Sequence, residues 1–138
     1  SVLGDHVLQR GSNITPERLR FDFTHTGKMS TEEIAKVEEL VNAAITKDYP
    51  VSFQELPLEE ARKLQAIGLF GEKYPDVVKV YTVGDVAGLP VASIDSPTFS
   101  REFCGGPHVE HTGVIGTFKI TKEEAVSAGV RRIKAVVS

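Results

Sequence analysis

Apolar and polar positions along the chain follow two periods, and the switches between them mark the elements. Leu19 to His25 (LRFDFTH) alternates residue by residue, with Phe21, Phe23 and His25 on one face and Arg20, Asp22 and Thr24 on the other. That period predicts a half-buried strand. Ser30 and Glu33 then form a capping-box pair, in which each side chain satisfies a backbone N–H at a helix start. Ile34, Val37, Leu40, Val41, Ala44 and Ile45 recur at helical spacing and predict an amphipathic helix, which Pro50 prevents from continuing. Val51 to Leu56 reads as a short strand, and Pro57 suits the first turn of a second helix. Leu58, Ala61, Leu64 and Ile67 give that helix its stripe and Gly68 its end. Val77 to Val83 is rich in β-branched residues and predicts a well-buried strand.

The remaining stretches are read from weaker patterns. Ser1 to Arg10 reads as the end of a helix stopped by Gly11 and Ser12, and a helix that opens on the first residue suggests a piece of something longer. Gly84 to Phe103 is irregular, with a short strand expected over Leu89 to Ile94. Loops of this length are uncommon and many are functional; this one leads into Cys104. Val114 to Ile120 reads as a strand with Val114, Gly116, Phe118 and Ile120 on one face. Thr121 with Glu124 repeats the capping-box pattern and predicts a short helix closed by Gly129, followed by a last strand, Val130 to Val137. Helices and strands mixed without a βαβ rhythm predict an α+β fold, a mainly antiparallel sheet packed with helices. A length of 138 residues suits a single domain.

Composition narrows the class only slightly. Hydrophobic residues are 41% and charged residues 25%, ordinary for a globular protein. No apolar run approaches the roughly 20 residues that span a membrane, and the first residues show no secretory pattern. The single cysteine, Cys104, points to a reducing, cytoplasmic setting. A net charge of −3 argues against a domain held on nucleic acid by bulk charge alone, while leaving room for local basic patches.

Chemistry concentrates in Cys104-Gly105-Gly106-Pro107-His108. Thiolate and imidazole are preferred zinc ligands, and the glycines let backbone approach a ligand closely. By spacing alone, the motif fits either two ligands of a zinc site or a cysteine beside a turn histidine. His6 reads as a surface or packing residue of the first helix, His25 as a core or pocket histidine, and His111 as an exposed residue that could line the site. Arg131 shares the face of Ile133 and reads as a structural ion pair or a phosphate contact. Arg132 and Lys134 read as a solvated face. Gly68 to Tyr74 (GLFGEKY) lacks the lysine-serine or lysine-threonine ending of a phosphate-binding P-loop.

Five segments in order, GDHVLQRGS, LRFDFTH, LFGEKY, EFCGGPH and AGVRRIKAV, resemble the editing domain of alanyl-tRNA synthetases. The likeness to free-standing alanyl-tRNA editing proteins and to the threonyl-tRNA synthetase editing domain is more distant. The resemblance implies hydrolysis of Ser-tRNA(Ala) and Gly-tRNA(Ala) at a zinc site. Cys104 and His108 match two Zn2+ ligands, and a His-x3-His pair normally lies upstream of the GDHV segment, outside this sequence. Gln9 matches a pocket glutamine, and Gly105 and Gly106 would offer N–H groups near the reacting ester. His25, Arg131 and Arg132 fall within matching segments and are carried over as substrate or tRNA contacts. Pro107 stands where the family commonly has threonine, and the loop from Asp85 to Cys104 is longer than expected. The partner implied is mischarged alanine tRNA. A parent enzyme would add C-terminal domains and an aminoacylation core, the latter the only user of ATP. The alternative is a module that binds the tRNA acceptor end without turnover.

Overall fold

The chain runs β1 (Gln9–Ile14), β2 (Arg18–Thr24), α1 (Thr31–Lys47), β3 (Val51–Pro57), α2 (Leu58–Lys63), β4 (Val77–Val83), β5 (Ser100–Phe103), a 3-10 turn (Thr112–Ile115), β6 (Phe118–Ser127) and β7 (Val130–Val137). This computed structural model describes residues 2–63, 74–84, 99–104 and 108–138. All strand pairings among them are antiparallel, as the α+β reading requires. The strands form a four-stranded sheet, β1-β2-β7-β6, and a three-stranded sheet, β3-β4-β5. The chain divides into two compact units, Ser1–Ile45 with Ile115–Ser138, and Thr46–Val114.

In the first unit the LRFDFTH alternation sets the core. Leu19, Phe21 and Phe23 of β2, Ile133 and Ala135 of β7, and Phe118 and Ile120 of β6 pack with Met29, Ile34, Val37, Val41 and Ile45. Helix α1 begins as its capping box specifies: Glu33 N donates to Ser30 Oγ and Ser30 N to Glu33 Oε1. Its stripe is narrower than expected, since Leu40 is 38% exposed. The helix also seals the sheet. Strand β6 lies at an edge, where unpaired N–H and C=O groups invite foreign strands. Asn42 bonds both the N–H and the C=O of Phe118, and Glu38 accepts from Ile120 N.

Three expectations in this unit are corrected. Residues 2–8 are not helical, and Gln9–Ile14 is a strand: Leu3 and Val7 pack on the sheet core, and Thr24 N donates to Leu8 O. Val114 to Ile120 is not a strand throughout; Val114 and Ile115 end the 3-10 turn, and the strand starts at Phe118. Gly116 then has φ +86°, and a Cβ there would fall on Ser138 O. Thr121 to Gly129 is not a helix. Strand β6 runs on to Ser127 and meets β7 through Ala128 and Gly129, the latter at φ +73°, a conformation suited to glycine. The Thr121 hydroxyl donates to Lys134 O instead of capping a helix.

In the second unit Ala61, Val78 and Val80 form the core with Leu56, Leu58, Tyr74 and Phe103. Pro57 is the last residue of β3, not a residue of the helix that follows it. The last four residues of the expected irregular stretch form β5. The rest of that stretch, with the Leu89–Ile94 strand and the α2 end at Gly68, lies outside the described residues. Asp48 closes α1 at φ 52°, the left-handed region that Asp and Asn tolerate best after Gly. That places its Oδ1 to accept from His111 Nδ1 and, at 2.7 Å, from Gly113 N. Tyr49 N donates to Thr112 Oγ1 alongside. The carboxyl is held below its ordinary value, first by the His111 hydrogen bond and then by the Gly113 amide.

Two adjacent arginines on β7 each hold a carboxylate, on opposite faces. Arg131 bonds both oxygens of Glu123, at 2.9 and 2.6 Å. The Glu123 side chain is 2% exposed and also accepts from Met29 N. Arg132 bonds both oxygens of Asp22, at 2.7 and 3.0 Å. Each arginine, through its hydrogen bonds first, holds its acid below the ordinary carboxylate value.

Two predictions follow from these anchors. Glu123→Ala leaves Arg131 uncompensated and lowers unfolding free energy by about 3 kcal/mol, read by urea denaturation. Because the folded pKa of Glu123 is depressed, the stabilisation it gives is present above the ordinary value of 4.5 and lost as pH falls through the folded value. The stability gap between parent and variant therefore narrows on acidification, and a gap that widens there is incompatible with this pair. Asp48→Gly keeps the backbone relaxed but removes the acceptor, so the Gly113 amide exchanges with solvent at least about tenfold faster by NMR, roughly the worth of one hydrogen bond.

Candidate functional site

Strand β5 fixes one end of the Cys-x3-His loop. Arg101 and Phe103 point to the inner side of the three-stranded sheet, where Arg101 is 8% exposed and Phe103 packs on the core. Alternation assigns Glu102 and then Cys104 to the outer face, and Cys104 N donates to Lys79 O at 3.2 Å, extending the ladder by one bond. On that outer face Phe53, Tyr81 and Glu102 form one cross-strand row. His108, at the other end of the loop, stacks on Tyr81 with ring centroids 3.6 Å apart. The loop therefore leaves and returns to the same face of one sheet. Cys104 is half-buried and His108 exposed. Gly105, Gly106 and Pro107 lie outside the described residues.

A thiol and an imidazole held at the two ends of one short loop suit zinc in donor chemistry. They supply two donors, where a catalytic zinc takes about three from protein. Among the described residues, no group of three or more His, Cys, Asp or Glu side chains is placed to hold a metal. His111 is not simply exposed: it is tied to Asp48, with 45% of its side chain open to solvent.

In the first unit a bulge in β1 decides where Gln9 points. Gln9 pairs with Phe23 and Gly11 with Asp22, leaving Arg10 as the extra residue. Gln9 thus shares a cross-strand row with Phe23, Arg131 and Ala125, on the core face of the sheet. His25 continues that face, and His6 stacks on it with centroids 5.1 Å apart. His6 Nε2 and His25 Nδ1 are 2.9 Å apart, one donating and one accepting. His6 is therefore a loop residue paired with His25, not a helical one. Gln9, His25 and Arg131 gather at one end of one face, whereas Arg132 projects to the other.

For Arg131 the ion-pair reading is the one realised. Arg132 does stand on the solvent face with Lys134, but its side chain is only 24% exposed and is bound to Asp22 instead of being freely solvated. Tyr81, Asp48 and Glu123 were not singled out from sequence. An acid just past a helix stripe was a usable signal for Asp48, and the inward face of Glu123 was hidden by the extra residue at Thr121.

The description "Threonyl and Alanyl tRNA synthetase second additional domain" belongs to the family model matching residues 78–134. The chain is 57% identical over 136 residues to an alanine–tRNA ligase of Treponema denticola, covering 99% of this chain and 20% of that protein. It is 52% identical to the enzyme of Treponema pallidum, again over 20% of the relative, and 54% identical to that of Thermus thermophilus, over 15%. The chain thus spans a fifth or less of the relatives' length. With an identity of this size over 99% of its length, and with the family model matching residues 78–134, the chain belongs to the second additional domain family of the alanyl-tRNA synthetases.

Proposed function

We propose that this chain is an editing module that hydrolyses the aminoacyl ester of Ser-tRNA(Ala) and Gly-tRNA(Ala). The observation that carries the proposal is the return of the CGGPH loop to one sheet face, with Cys104 anchored at one end and His108 stacked at the other. The physical need is plain. An activation pocket for alanine excludes the smaller glycine poorly, and an added hydroxyl is rejected weakly by an apolar pocket. A second, hydrolytic site restores fidelity.

Cys104 and His108 would hold zinc, with further donors from outside the described residues. When bound, zinc supplies Lewis acidity to an ester carbonyl or to a water. The chain's own contributions are positional. The Lys79 carbonyl and the Tyr81 ring hold Cys104 and His108 at the two ends of the loop, and the backbone N–H groups of Gly105 and Gly106 would serve as donors to a developing oxyanion. Gln9 contacts the amino acid of the substrate. Activation of alanine with ATP belongs to a separate aminoacylation core of a parent enzyme. A second reading, capture of the acceptor end without turnover, rests on the donor count of two.

Incubation with Ser-tRNA(Ala) and added zinc distinguishes these readings. The unsubstituted chain should release serine, and Cys104→Ala should reduce release to the rate without protein. Retention of the rate in Cys104→Ala removes this loop from the chemistry. Binding of the tRNA with no release by either form establishes the capture reading.

A further inference from the structure

The solvent face of the four-stranded sheet carries a charge distribution that sheet stability does not explain. Asn13, Arg20, Lys134 and Lys122 stand side by side in one cross-strand row. Like charges directly opposite one another destabilise a sheet, yet three cations are adjacent here. The bulge at Ile120/Lys122 turns Lys122 outward, and Thr121 lines the groove beside this row. Arg18 and Lys119 both pair with Val136, one row further on. The whole face holds Arg18, Arg20, Lys119, Lys122, Arg132 and Lys134 against only Asp22 and Glu124. Across the chain the balance is the reverse, 16 basic to 19 acidic residues.

The two carboxylates are already committed. Both oxygens of Asp22 accept from Arg132, so Arg20 is left with its Nε buried, without a hydrogen-bond partner, 3.8 Å from Asp22 Oδ1. Glu124 is shared between Lys122 at 3.2 Å and Lys134 at 3.3 Å. A groove of about 360 Å³ opens on this face. Arg18, Arg20 and Lys134 line it together with the polar side chains of Asn13, Thr15 and Thr121, and no carboxylate lines it.

We infer that this groove holds the phosphodiester backbone of RNA. Concentrated cations with hydroxyl and amide groups between them match a chain of phosphates and riboses, which is bound without reading its bases. A concave groove admits a strand, whereas a flat sheet of lipid headgroups would meet only its rim. The inference rests on the reading that the chain handles tRNA, and it adds where the body of the RNA is gripped. Arg132 serves the groove indirectly, by taking both oxygens of Asp22 and leaving Arg20 only a long ion pair with it.

The test uses the full chain and uncharged alanine tRNA, followed by fluorescence anisotropy across a salt series. Arg18→Gln/Lys134→Gln alters two exposed side chains and leaves the core untouched; Lys36→Gln, on the exposed side of α1, is the control. The double variant should weaken binding at least about tenfold and flatten the log Kd against log salt slope by about 1.4 to 1.8, the share of two phosphate contacts. The control should do neither. Hydrolysis of a seryl ester on a short 3′-terminal oligonucleotide, which lacks the body of the tRNA, should be unchanged in the double variant. Equal RNA affinity in parent and double variant overturns the inference while leaving editing intact, as does an equal loss in the control. Lost affinity with no ester hydrolysis by any form upholds the groove and overturns editing. No RNA binding by the parent chain, or binding only to anionic phosphatidylserine vesicles, also overturns the inference.

Discussion

Much of the first unit hangs on one carboxylate sealed inside it. The Glu123 side chain is almost wholly covered, and its two oxygens take three hydrogen bonds: two from Arg131 on the neighbouring strand and one from the Met29 amide. The first two fix the register of the β6–β7 hairpin. The third ties the approach to helix α1 onto the sheet, next to the capping box that starts the helix. A buried charge is tolerable only when paired and fully hydrogen-bonded, so these elements are obliged to keep their places together. Gln9 and His25 share the sheet face on which Arg131 stands, and the geometry at that end is therefore inherited from the ion pair.

The elements that were legible in the sequence are those whose signal is local and unopposed. LRFDFTH, the Ser30–Glu33 box and the Val77–Val83 run each state one period, and each folded as stated. Thr121 to Gly129 failed for a physical reason. Thr and Glu three residues apart satisfy a helix start in isolation, but cross-strand pairing with β7 offers the same groups better partners, and tertiary context overrides the local preference. The extra residue at Thr121 also breaks the alternation that would have revealed a strand. At the start of the chain, Leu3 and Val7 are spaced as on a helix but are drawn onto the sheet core.

The candidate site was legible in kind and not in arrangement. The thiol–imidazole spacing pointed to Cys104 and His108, yet nothing in the sequence announced that Tyr81 would serve as a stacking surface for His108. That contact links residues far apart in the chain and depends on the pairing of three strands. The adjacent arginines were correctly assigned to opposite faces, but the carboxylates waiting there were not. The basic face was invisible in a net charge of −3, since a sum over the chain discards where the charges stand.

The bulge in β1 has a consequence for how this segment can change over generations. Gln9 reaches the core face only because Arg10 is surplus to the pairing. Loss of Arg10 would restore regular alternation and swing position 9 round to solvent. Deletions there should be purged over generations, so that this stretch is held to a fixed spelling length.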